Sequence, residues 1–167
     1  MTQDALRDVL GSFANTVSVV ATTHNGQRFG FMSTAVSTID FETPTLLITV
    51  NRSASSHDPI AASGCFSVNI LADTQEEISV RFTGFRGHKG EARFEGAEWT
   101  LLQTGAPVLQ GAVAALDCRV VQSQVFGKQT LFFGQVVTAQ RATGNRVSPL
   151  LYFGRGYAVV RSLSGWG

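Results

Sequence analysis

The sequence predicts a mainly β domain with a few short helices, its antiparallel strands closing into a barrel. Three observations carry this. Val/Thr-rich runs and stretches of period-two alternation recur along the chain. Asn25-Gly26, a strong hairpin-turn signal, joins the first two of these runs. The alternation of strands with long helices that a parallel sheet requires is missing. With 167 residues the chain is sized for one domain with a substantial core, so residues 1–167 are read as a single unit.

The elements follow in order. Leu6, Val9, Leu10 and Phe13 fall at i, i+3, i+4 and i+7, which predicts an N-terminal helix within residues 1–14 whose apolar face packs on something. Thr16 to Thr23 and Arg28 to Ile39 predict two strands paired through Asn25-Gly26. Thr45 to Val50, bounded by Pro44, suits a buried strand. Asp58-Pro59 predicts a helix capped by Asp58, with Pro59 at its first position and Gly64 at its end. In Cys65 to Leu71, Phe66, Val68 and Ile70 alternate with Ser67 and Asn69, as in a strand. Asp73-Thr74-Gln75-Glu76 resembles a capping box for a helix that Gly84 stops, with Ile78 and Phe82 facing the core. Phe85 to Glu98, with Gly87, Gly90 and Gly96, is the most loop-like stretch. Ala112 to Ser123, Gln129 to Ala139 and Tyr157 to Val160 complete the strands, and Ser162 to Gly167 is expected to fray.

Composition removes several function classes. Thirteen Lys and Arg against 12 Asp and Glu leave a net charge of +1. No basic stripe marks a polyanion site, so no nucleic-acid partner is expected. No apolar run approaches the length of a membrane span, and no basic-plus-apolar leader is present; a cytoplasmic location is the expectation. Cys65 and Cys118 lack C-x-x-C spacing and sit in strand-like runs, as buried thiols do. His24, His57 and His88 are far apart and lack metal-ligand spacing, so no metal is expected. Neither G-x-G-x-x-G nor a phosphate-binding lysine loop occurs.

Three polar stretches remain. Met32-Ser33-Thr34-Ala35-Val36-Ser37-Thr38 places four small hydroxyl residues in a strand-like context. Small side chains let a ligand approach the backbone, and hydroxyls and amides can bond ring carbonyls and nitrogens. Asn51-Arg52-Ser53-Ala54-Ser55-Ser56-His57 follows a buried strand and precedes a helix, a good setting for an anion. Arg86-Gly87-His88-Lys89 is basic and Gly-flanked. Singly, these stretches read first as a half-exposed strand, a Ser-rich loop and a solvated loop. Together they suggest a ring site and a phosphate site separated by one buried strand, which fits a mononucleotide-like cofactor.

These residues also carry a resemblance. From about Leu6 to Val160 the chain is similar to the short flavin reductases, the NAD(P)H:flavin oxidoreductase components of two-component monooxygenases. The matching stretches include Phe13 to Val20, Gly30 to Ile39, Asn51 to Ser56, Gly64 to Leu71 with Gln75, Gly105 to Leu109, Leu116 to Arg119 and Pro149 to Tyr152. Their order and spacing, not any single motif, carry the likeness. It implies an FMN-binding type of split β-barrel, working as a homodimer with flavin sites near the subunit interface. Position by position, it implies that Met32, Ser33, Thr34 and Ala35 line the isoalloxazine. Asn51, Ser53, Ser55 and Ser56 then hold the ribityl-phosphate region. Phe82, Arg86 and Lys89 lie near the same pocket, and Tyr152 and Tyr157 help to close it. The implied cofactor is FMN or FAD, with NADH or NADPH as hydride donor and a flavin-dependent monooxygenase as recipient of reduced flavin. One departure stands out: where the family often has Gly-Asp-His, this chain has Gly127-Lys128-Gln129. Gln129 then stands on the nicotinamide side, where it can hydrogen-bond but cannot carry charge. No acid or base is implied as catalytic. The alternative is a flavin-binding carrier or redox protein of the same fold with little reductase activity.

Overall fold

The computed structural model describes residues 2–143 and 147–161. Its elements run α1 (Gln3–Leu10), β1 (Asn15–Thr16), β2 (Ser18–His24), β3 (Gln27–Ser33), β4 (Val36–Asp40), β5 (Thr45–Asn51), α2 (His57–Ser63) and β6 (Cys65–Ile70). A 3-10 turn, Asp73–Gln75, leads into α3 (Glu76–Thr83), and a second covers Gly90–Phe94. The remaining strands are β7 (Trp99–Leu101), β8 (Pro107–Leu109), β9 (Ala114–Phe126), β10 (Gln129–Arg141), β11 (Leu150–Phe153) and β12 (Gly156–Val159). The expected tail Ser162 to Gly167 lies outside the described residues.

A seven-stranded sheet dominates, in the order β3-β2-β6-β9-β10-β5-β4. Every pairing in it is antiparallel. Its two edge strands, β3 and β4, are consecutive in the chain and joined only by Thr34 and Ala35. Two residues span at most about 11 Å from Ser33 to Val36. The sheet must therefore curl until its edges nearly meet, which gives a barrel with one unpaired seam. Two small sheets, β1-β11-β12 and β7-β8, cover its outside.

β2 and β6 separate two cores. Val20, Ile48, Val50, Ile60, Phe66 and Phe132 fill the barrel. Val19, Ala21, Leu71, Phe82, Phe94 and Leu150 pack on the other side of the same strands. Residues 18–22 of β2 and 65–69 of β6 are buried on both faces, so these strands carry no exposed polar face. The Thr22 and Ser67 hydroxyls and the Asn69 amide there are bonded, whereas Ser18 Oγ has no partner among the described residues. Asn69 Nδ2 donates to the Val19 carbonyl (3.1 Å) and its Oδ1 accepts from the Leu109 N–H (2.8 Å). Cys65 and Cys118 are free and buried, as expected. Burial, and secondarily the charge of Asp117, pushes the Cys118 thiol up to about 12.

Several expectations need correcting. The N-terminal helix covers only Gln3–Leu10 of residues 1–14, because Thr2 caps it (Oγ1 accepts from the Ala5 N–H, 3.2 Å) and the chain turns at Gly11. Its apolar face packs on nothing among the described residues: Val9, Leu10 and Phe13 are 62%, 53% and 64% exposed. The run Arg28 to Ile39 is two strands, broken at Thr34-Ala35. The second helix starts two residues earlier than Pro59, with Ser56 as its cap. At the third helix, the capping contact comes from Gln75 Oε1, which accepts from the Ala72 N–H (2.9 Å). Phe85 to Glu98 is not simply loop, since its 3-10 turn buries Phe94 against Phe82 (ring centroids 4.9 Å) and Trp99 (5.0 Å). The glycines at residues 64 and 84 end their helices in the left-handed conformation as read.

Gly134 shows how tightly the barrel closes. It sits at a register shift between β10 and β9, and a Cβ there would lie 2.3 Å from the Phe66 ring and 3.0 Å from Cys118 Cβ. Gly134→Ala must displace a fully buried aromatic. Urea unfolding should show a loss of about 1–3 kcal/mol, and an unchanged midpoint would mean that the Phe66 ring has room to move.

Candidate functional site

A cleft opens along the β3 edge of the barrel. β3 supplies Phe31 and Met32 from one edge. The loop after β5, on the side of the other edge, supplies Ala54, Ser55 and Ser56. The C-terminal end of α3 adds Phe82, Thr83 and Phe85. Together with Arg93 these bound a cleft of roughly 340 Å³. Val20 pairs with Phe31 and Val19 with Met32, so Phe31 packs on the barrel core and Met32 on the outer one. The cleft thus straddles the boundary between the two cores. Gly30 lets the Phe82 ring lie flat along β3, because a Cβ there would sit 2.8 Å from the ring edge.

Met32, Thr83 and Phe85 also line a second lobe of roughly 290 Å³ that adds Arg86, Tyr152 and Tyr157. Tyr157 is held by Ser79 (Oη to Oγ, 2.8 Å) and meets Tyr152 edge to face at 5.9 Å. Tyr152 leads on into a trough of roughly 550 Å³ beside α1, which Thr34 also lines. The structure therefore brings Met32, Thr34, Ser55, Ser56, Phe82, Arg86, Tyr152 and Tyr157 along one continuous groove.

Other expected site residues do not line it. Ser33 is buried, and its hydroxyl accepts from the Ala35 N–H (3.1 Å), which fixes the break between the edge strands. Ala35 is exposed beside that turn. Asn51 Oδ1 accepts from the N–H and hydroxyl of Ser53 (3.0 and 2.9 Å), so both residues shape the loop rather than face the groove. Lys89 is exposed at the entry to the second 3-10 turn. Gln129 pairs with Asn51 across β5 and β10, and the Arg52 N–H donates to the Lys128 carbonyl (2.9 Å). Gln129 thus stands behind the Ser-rich loop.

Sequence reasoning missed Arg93 and Phe85. Arg93 Nη1 donates to the Gly30 carbonyl (2.8 Å) and Nε to the His88 carbonyl (3.1 Å), placing a cation on the cleft wall. Its neighbour Phe94, an aromatic in a Gly-rich stretch, was the one signal that this region is anchored. Close by, Arg28 grips Glu91 with Nε and Nη2 (2.8 and 2.6 Å) and lies over the Phe94 ring. That contact holds the Glu91 carboxyl below its ordinary range. His57, dismissed as a metal ligand, is a tether: its ring nitrogens contact Asp58 Oδ1 (2.7 Å) and Thr130 Oγ1 (2.8 Å), tying the Ser-rich loop to β10.

The most informative atom is Ser56 Oγ. The residue is 1% exposed, yet its hydroxyl has no hydrogen-bond partner among the described residues. It caps α2 without making a capping bond. A buried hydroxyl left unpaired on a cleft wall costs stability and suits a ligand that pairs it.

Comparison with known proteins agrees with this architecture. The family model for the flavin reductase like domain matches residues 10–161. The chain belongs to that family. It is 39% identical over 157 residues to the FMN reductase (NADH) RutF of Pseudomonas syringae pv. syringae, covering 94% of this chain and 86% of that one. It is 30% identical to the reductase subunit HsaB of a flavin-dependent monooxygenase from Mycobacterium tuberculosis, over 92% of this chain and 80% of that one. Among solved family structures, the NADH:FAD oxidoreductase of Streptomyces globisporus in complex with NAD and FAD fragments superposes with a TM-score of 0.87. It shares 27% identity, over 98% of this chain and 95% of that one. Among the described residues no helix is long and apolar enough to cross a membrane, and no cluster of three or more His, Cys, Asp or Glu could hold a metal.

The two serines at the ends of the flavin reductase-like seam should respond oppositely to truncation. Ser56→Ala removes an unpaired buried hydroxyl and should leave the ligand-free protein as stable or more so. Ser33→Ala removes a formed bond and should cost about 1 kcal/mol. Thermal unfolding of both variants checks this; an equal loss in the two would show that Ser56 is paired after all.

Proposed function

We propose that the protein is an NAD(P)H-dependent flavin reductase that supplies reduced flavin to a partner monooxygenase. The observation that carries this reading is the groove at the barrel seam within a family match spanning residues 10–161. The curated relatives at 39% and 30% identity bear names of the same chemistry.

The residues present fit a flavin. Phe31, Met32, Phe82 and Phe85 offer an apolar wall for a planar ring. Ser55, Ser56 and Arg93 offer hydroxyls and a cation for a polar, anionic tail, and Ser56 Oγ is waiting for a partner. Met32 and Tyr152 continue the wall into the second lobe, where a second ring can be excluded from water. When bound, the flavin supplies the acceptor for a hydride donated by a nicotinamide. The chain's own work is then positioning: holding two rings in contact and keeping water out. That work requires no general acid or base. His57, next in the chain to Ser56, is engaged by Asp58 and Thr130.

The partner arrangement is part of the proposal. On β5 and β10, Leu46, Ile48 and Phe132 face inward, while Leu47, Leu131 and Phe133 form a half-buried apolar stripe outside. That stripe and the uncovered face of α1 support a homodimer, whose mass in sedimentation should be twice that of the chain. The free thiols suit a reducing, cytoplasmic setting.

Oxidation of NADH and NADPH, measured with and without FMN or FAD, tests the central reading. Turnover that requires flavin is expected; flavin binding without oxidation of either nicotinamide would instead favour a carrier. Ser55 lines the cleft, whereas the Ser53 hydroxyl is engaged by Asn51. Ser55→Asp should therefore weaken flavin binding about tenfold, roughly 1.4 kcal/mol, through repulsion of an anionic tail. Ser53→Asp should weaken it much less. Equal effects in a fluorescence titration would move the tail out of the cleft.

A further inference from the structure

Phe85 is 92% exposed, the most exposed large apolar residue among those described. On an open surface a lone phenylalanine needs no explanation. This one lines both the cleft and the second lobe of the groove, a position it shares only with Met32 and Thr83. Met32 packs against the outer core, and the Thr83 hydroxyl donates to the Val80 carbonyl (2.7 Å). Of the three residues where the lobes meet, Phe85 alone has an uncommitted side chain.

The backbone beneath it is fixed. Gly84 and Gly87 both adopt positive φ (78° and 79°), and the Gly87 N–H donates to the Gly84 carbonyl (3.2 Å), closing a tight turn with Phe85 and Arg86 at its corners. The Phe85 N–H donates to Thr83 Oγ1 (3.2 Å), and Arg86 Nη1 donates to Glu77 Oε2 (3.1 Å), which ties both corners to α3. Phe82, three residues earlier, is its opposite: buried, and packed edge to face on Phe94. One phenylalanine is a fixed wall of the cleft. The other has a held backbone and a free ring, and a planar aromatic ligand is the surface that such a ring covers best.

Resting on the reductase reading, we propose that Phe85 covers the open face of the flavin ring in the cleft and yields that place to the nicotinamide. A ring seated there has Phe31, Met32 and Phe82 against its inner face. Hydride transfer requires the donor ring face to face with the flavin, so the outer face is wanted by the phenyl and by the nicotinamide alike, and the two exclude each other. Because Phe85 also borders the second lobe, its ring leaves where the donor ring arrives. The cover holds the flavin more tightly and keeps water off it, at the expense of a weaker hold on the donor.

Phe85→Ala tests this without threatening the fold, since so exposed a ring packs on little; its melting temperature should match the wild type. FMN and riboflavin should both bind about fivefold more weakly, within the range of one aromatic contact, because the phenyl touches the ring and not the phosphate. Phe85→Trp should restore both affinities to within about twofold of wild type. Iodide should quench the fluorescence of bound FMN more steeply in Phe85→Ala. At saturating FMN, the KM for the nicotinamide that the protein oxidises should fall in Phe85→Ala and rise in Phe85→Trp. Unchanged flavin affinity or unchanged iodide quenching in Phe85→Ala overturns the proposal. So does a nicotinamide KM that stays or rises in that variant, which would make Phe85 a fixed wall for both rings. Binding and quenching are read without turnover. Flavin covered by Phe85 in a protein that oxidises no nicotinamide would therefore refute the reductase reading and leave the cover standing, whereas turnover with flavin binding indifferent to Phe85 would refute this proposal alone.

Discussion

The two-sided burial of β2 is the constraint on which the rest of the molecule depends. Val20 points into the barrel while Val19 and Ala21 point into a second core, and neither face can be given to solvent. One strand thereby fixes two packing layers at once. Its hairpin partner β3 inherits the same alternation, with Phe31 on one side and Met32 on the other. Because β3 is an edge strand, this boundary between cores reaches the surface there. An apolar cleft opening at that edge follows from the packing.

The seam has its own logic. Closing the barrel with continuous hydrogen bonds would leave no gap at the edge of the sheet. The two-residue link Thr34-Ala35 carries the chain from one edge strand to the other, and the Ser33 hydroxyl satisfies the Ala35 amide where the ladder stops. Small residues here serve the crossing as much as any ligand. That is why the stretch looked anomalous in the sequence, and why only Met32 and Thr34 of its expected quartet line the groove.

Much of the fold was legible because its signals are local. Asn25-Gly26 fixed one hairpin, the glycines at 64 and 84 ended two helices, and the alternation in residues 65–71 marked β6. What stayed hidden depends on distant partners. The break at Thr34-Ala35 has strand-like text on both sides, and only the pairing of β4 with β5 reveals it. Arg93 gains its place from the carbonyl of Gly30, 63 residues away in the chain. The apolar stripe of α1 was correctly read as a helix face, but none of the described residues covers it. The Ser-rich loop was legible as a unit, though not its division of labour: Asn51 and Ser53 bond each other, whereas Ser56 is left for a partner.

That division explains how a site with so little charge can still discriminate. The cleft holds a single guanidinium, and the Asp4–Arg7, Asp8–Arg155 and Glu77–Arg86 pairs that flank the groove are solvated and nearly neutral as pairs. No strong field draws anions in, which agrees with a net charge of +1. Recognition must instead come from shape and from a group whose alternatives are poor, an unpaired buried hydroxyl. It makes the site less stable than it could be, and a partner of the right geometry relieves it. On the proposed reading, the two-sided packing that splits the cores also sets the apolar wall of Phe31 and Met32 beside the Ser-rich loop.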